Sequence, residues 1–132
     1  MSTSTIRQIL ESELTGISPG IDSAFENDYY VPVVDVPYQS IFFLFANPDN
    51  AYISRKYVQE GYMQVNLNYP ELSGVAVAQA RAELIRSKFK SGSIVLSTVH
   101  ITSTPEIGQG VNSAGRYVLP VFVKFRQYIQ ET

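Results

Sequence analysis

Two rhythms of apolar residues run along this chain, one helical and one of period two. Ile6, Ile9, Leu10 and Leu14 recur at the three- and four-residue spacing that lines one side of a helix. Ser2 to Thr5 supply potential caps ahead of them, so residues 4–15 read as a short amphipathic helix ended by Gly16, Pro19 and Gly20. Residues 21–27 suit a brief strand. Over residues 30–37, Pro32 and Pro37 remove amide donors and favour an extended connection that hugs the surface.

Residues 38–45 are rich in aromatic and β-branched side chains, and the turn formers Asn47, Pro48, Asp49 and Asn50 close them, which predicts a strand followed by a loop. The clearest alternation follows. Met63, Val65, Leu67 and Tyr69 share one face, while Tyr62, Gln64, Asn66 and Asn68 share the other. That polar face carries amides rather than charges, which suits either water or a subunit contact.

After Pro70 and Gly74, residues 75–89 predict a helix laid on a sheet. Val77, Ala80, Leu84 and Ile85 converge on one side, and Gln79, Glu83, Arg86 and Lys90 take exposed positions. Arg86, Lys88 and Lys90 complement the helix macrodipole at its end, and Gly92 stops it. Residues 94–104 read as a β-branched strand. Residues 117–128 read as a longer one, with Tyr117, Leu119, Val121, Val123 and Phe125 as its apolar row. Between them, residues 105–116 contain Gly108, Gly110 and Gly115 and read as a long flexible loop, whose residues 107–114 should be dispensable for folding. The expected fold class is α+β: a mainly antiparallel four- to five-stranded sheet with two helices packed on one face.

The length of 132 residues suits one domain spanning residues 1–132, and 45% apolar residues, including nine tyrosines and seven phenylalanines, can fill its core. No stretch approaches the roughly 20 apolar residues of a membrane span, and the polar, then amphipathic start predicts no secretory signal. Without cysteine, thiol redox chemistry and thiolate metal sites are excluded. The net charge of −2 is unevenly divided. Residues 1–60 hold eight acids and three bases, whereas residues 61–132 hold four acids and seven bases, so a −5 half precedes a +3 half. Such asymmetry helps identical subunits meet head to tail. No dense basic patch interleaved with aromatics predicts nucleic-acid binding.

Candidate chemistry is sparse. His100 is the only histidine and falls inside a predicted strand, which leaves no second imidazole for a metal and no base beside a nucleophile. The glycines at 108, 110 and 115 lack the Lys-Ser/Thr ending of a phosphate loop. Asp22, Glu26, Asp28 and Asp35 lack the alternation of a calcium loop and read as a solvated acidic face. No enzyme, cofactor or metal site is expected.

A resemblance sharpens this picture. The opening helix from Ile6-Arg7 to Leu14, Ala24-Phe25-Glu26-Asn27 followed by Pro32 and Pro37-Tyr38, and the run from Glu60-Gly61-Tyr62 through Tyr69-Pro70 are similar to the phage tail terminator-like family. So are Gly74, the helix from Ala76 to Phe89, Lys90-Ser91-Gly92 and the closing strand from Arg116 to Val121, all in the same order. The resemblance implies a structural protein of the virion tail, encoded by a phage or prophage and assembled in the bacterial host cytoplasm. It implies a hexameric ring of this chain that caps the tail tube, stops tube polymerisation and provides the head-attachment surface. The partners would be the chain itself, the tail tube protein and a head-completion protein, with no membrane and no nucleic-acid specificity. A head-tail connector, or neck protein, is the alternative. The interface residues expected on this basis are Asn50, Arg55, Lys56, Gln64, Asn66, Gln109, Asn112 and Arg116, chosen from two polar loops and the amide-rich strand face.

Overall fold

Two 15-residue strands, β3 (Lys56–Pro70) and β8 (Arg116–Gln130), run antiparallel along their whole length, from Lys56 opposite Gln130 to Pro70 opposite Arg116. They form the spine of a computed structural model that describes residues 3–18, 20–33, 35–48, 56–71, 74–95, 99–113 and 115–130. β2 (Tyr38–Phe45) lies antiparallel on the free edge of β3, and β1 (Asp22–Phe25) adds outside it in parallel. The other edge of β8 is tiled in succession by β5 (Val99–Ile101), β6 (Glu106–Ile107) and β7 (Val111–Ser113), with β4 (Ile94–Val95) outside β5.

The α+β class therefore holds, but among the described residues the sheet has eight strands and is mixed, in place of the expected four- to five-stranded antiparallel one. Two causes account for the difference. The parallel β1–β2 pair needs a crossover, which the proline-punctuated segment after β1 supplies. The expected strand at 94–104 folds back on itself, placing Ile94 opposite His100, and the expected loop at 105–116 contributes two further strands. His100 opposes Arg126, Glu106 opposes Phe122, and Val111 opposes Val118, so this side gains residues on β8 at two bulges. Gly110 belongs to the second, where a Cβ would collide with the Tyr117 ring.

Strand alternation divides the sheet into two faces. Ile41, Met63, Val65, Leu67, Val121 and Val123 are fully buried on the inner face, beneath α1 (Thr3–Thr15) and α2 (Val75–Lys88). Helix α1 presents Ile6, Ile9, Leu10 and Leu14, as its spacing predicts. Each such side chain contributes roughly 1.5–3 kcal/mol on burial. Helix α2 departs from its expected phase: Ala78, Arg81, Ala82 and Ile85 face the core, followed by Phe89 at 0% exposure, while Val77, Ala80 and Leu84 face away. The two alanines let the helix approach the sheet closely, and the bulk of Ile85 and Phe89 is accommodated beside them.

Among the described residues the outer face carries no helix. Its corner is crossed by the segment between β1 and β2, where Tyr30 packs on Tyr38 with ring centroids 5.0 Å apart. Arg116 fastens the same segment, donating to the Val36 carbonyl at 2.8 Å and the Val33 carbonyl at 2.6 Å. Asn27 and Asp35 take positive φ values of 58° and 62° at its bends, a conformation that these two residue types tolerate better than most.

Candidate interaction surfaces

Of the residues nominated from sequence, Asn50 and Arg55 lie outside the described residues, and Lys56 is placed by its backbone as the first residue of β3. Gln64 and Asn66 stand together on the outer face. Gln64 Nε2 donates to Asn66 Oδ1 at 2.9 Å, and Asn68 Nδ2 continues the row to the Asn66 carbonyl at 2.9 Å and Ser40 Oγ at 3.2 Å. These amides partly satisfy one another, so the strip is polar without demanding a charged partner. Phe42 and Leu44 beside it are 42% and 56% exposed, and Tyr62 meets Phe122 edge-on at 5.6 Å.

The other nominated residues do not join this strip. Gln109 is exposed at the second bulge, with its side-chain amide 3.4 Å from the Gly110 carbonyl. Asn112 opposes Tyr117 and therefore belongs to the inner side of the sheet. Arg116 is half-buried, with its guanidinium 4.9 Å from the Tyr38 ring centroid, and acts as a clamp on the crossover.

The acidic residues that read as a solvated face have local duties. Tyr30 donates to Asp22 at 3.3 Å, the Tyr29 amide donates to Asp28 at 2.8 Å, and Glu26 accepts from the Phe43 amide at 3.0 Å and from Arg7 at 3.2 Å. The Phe43 amide bond first, and then Arg7, hold the Glu26 carboxyl below its ordinary value. His100 is half-buried, with its ring edge-on to Tyr128 at 5.7 Å. Among the described residues no three histidine, aspartate or glutamate side chains are grouped to hold a metal ion, and no helix is long and apolar enough to cross a membrane.

Two apolar features were missed at the sequence level. The first is a groove of about 490 Å³ along α2, walled by Ala76, Val77, Ala80 and Leu84 and backed by Ile21, Tyr69 and Arg81. Burial raises the Tyr69 phenol and lowers the Arg81 guanidinium from their ordinary values. The second is the crossover itself, where Tyr29, Val31 and Val33 are 90%, 59% and 53% exposed. A signal for each lay in the chain: α2 is apolar on both sides, and the crossover is valine-rich without a polar alternation.

A solved structure shares this fold, aligning over 100% of this chain and 99% of its own with a TM-score of 0.76 at 20% sequence identity. No curated protein matches the chain. The family described as phage tail terminator protein matches residues 5–125, from the first helix well into the last strand, and the chain belongs to that family.

Proposed function

We propose that copies of this chain close into a hexameric ring on the end of the finished tail tube, block addition of further tube subunits and present the opposite ring face to a head-completion protein. The observation that carries this reading is the family match over residues 5–125, which makes the chain a structural component that completes the phage tail. The role is structural rather than catalytic. A head-to-tail interface closes into a ring when its rotation divides the circle, and a ring caps a tube when only one of its faces matches the tube subunit.

Residues 1–132 act in this reading as a single domain, supported by one core cluster that includes both Ile6 and Ile129. Assembly takes place in the bacterial host cytoplasm. The polar contacts proposed for the ring and its partners are Gln64 and Asn66 on the outer strip, Gln109 and Asn112 near β7, Arg116 through the segment it clamps, and the stretch containing Asn50, Arg55 and Lys56.

Electron microscopy of tails from a phage or prophage with this gene disabled tests the proposal. Overlong or irregular tails without heads are expected. Tails of normal length attached to heads would refute the reading, and normal headless tails would reassign the chain to the head-tail connector.

A further inference from the structure

We propose that subunits join by inserting the exposed crossover of one copy, around Tyr29, Val31 and Val33, into the α2 groove of the next. This contact rests on the ring reading but is tested separately from it.

The crossover is built as a knob. Its apolar side chains point to solvent, while Pro32, the Tyr30–Tyr38 ring contact and the two hydrogen bonds from Arg116 hold its backbone in place. A segment ordered before docking loses little conformational entropy on docking. The groove is its counterpart. Val77 and Leu84 are 52% and 39% exposed on a helix whose other side is already buried, and the cavity of about 490 Å³ beside them is apolar. A helix apolar on both sides has a second surface to cover.

Within one subunit the two features stand on opposite faces of the sheet. The crossover lies on the outer face, against Tyr38 and Arg116, whereas the groove lies on the inner face, between α2, Ile21 and Tyr69. A second copy can therefore supply what each copy lacks, and two different surfaces on one molecule give a head-to-tail contact that propagates around a ring.

Charge favours the same occupant. Asp28 and Asp35 flank the knob, and among the described residues neither forms an ion pair; Lys90, just beyond α2, forms none either. Carboxylates flank the knob, whereas the charged residue that lines the groove, Arg81, is cationic, so the two surfaces carry opposite signs.

The absence of cysteine permits a direct test with the full-length chain. The double variant Val31→Cys/Val77→Cys, oxidised in concentrated solution, is expected to give a ladder of disulfide-linked multimers. The two single variants mixed together should stop at dimers, and either one alone should stay monomeric. Dimers from Val31→Cys alone would reveal a symmetric contact and overturn the proposal, as would a double variant that stays unlinked. Leu84→Glu, at an exposed position, should melt like the parent yet associate at least about tenfold more weakly, because docking would bury a charge. Unchanged association would count against the contact. Assembly without 31–77 linkage would eliminate this contact and leave the ring, whereas normal tails in the gene-disabled phage would eliminate the ring itself.

Discussion

β1 pairs with β2 only as far as Ile41, and beyond that point the Glu26 carboxylate takes the Phe43 amide in place of a strand neighbour. Arg7 completes the arrangement from α1, 3.2 Å from Glu26 and 4.6 Å from the Phe43 ring centroid. Because the folded-state pKa of Glu26 is lowered from 4.5, its contribution to stability is present above that pH and is lost as pH falls through the lowered value. With its side chain 38% exposed, solvent screening limits the effect to less than about 1 kcal/mol. Glu26→Gln should keep an acceptor for Phe43 while flattening the loss of stability below pH 4.5, measured by urea denaturation across pH. An acid limb as steep as the parent's would show that other carboxylates govern it. The acid cluster from Asp22 to Asp35 was plain in the sequence, yet its partners were not, because Phe43 and Arg7 reach Glu26 only through the packing of β1, β2 and α1.

The elements divide by how much they depend on neighbours. Helix α1 was legible because its apolar positions form one stripe, and β3 and β8 because every second position carries an apolar row, Met63 to Tyr69 and Tyr117 to Phe125. Helix α2 was legible as a helix but not in phase, since Val77 and Leu84 compete with Ala78, Ala82 and Ile85 as a core stripe. The stretch expected to be a free loop is held to β8 by β6 and β7, so Gly108 and Gly110 mark close approach rather than freedom. Deleting residues 107–114 should consequently destabilise the protein. Losing a few strand hydrogen bonds, each worth about 1 kcal/mol net, should lower the melting temperature by on the order of 10 °C and leave part of the β8 edge open to self-association. A deletant that melts with the parent would return the segment to the status of a dispensable loop.

At the scale of the whole molecule, the longest pairing joins residues distant in sequence, with Pro70 opposite Arg116 at one end and Lys56 opposite Gln130 at the other. Closing such a loop must precede most of the core, so refolding should take roughly milliseconds to seconds rather than microseconds. Stopped-flow fluorescence of the tyrosines checks this, and complete recovery within microseconds would contradict the topology as the rate-setting feature. The layering has a functional consequence as well. Helices cover one face and the crossover only a corner of the other, which leaves an amide strip, an apolar knob and an apolar groove as separate surfaces on a structural tail protein.

The sequence by itself determined the α+β class, the first helix, the apolar rows of the two long strands and, through ordered phrases along most of the chain, the tail terminator family. These depend on local periodicity and on residue order, both of which a linear pattern carries. Only the tertiary structure decided that β1 runs parallel to β2, that residues 94–113 divide among four short strands and that α2 turns its alanines inward. Each of those outcomes is a choice between faces or partners of similar local preference, settled by which arrangement buries Phe89 and Ile85 and pairs the edge of β8.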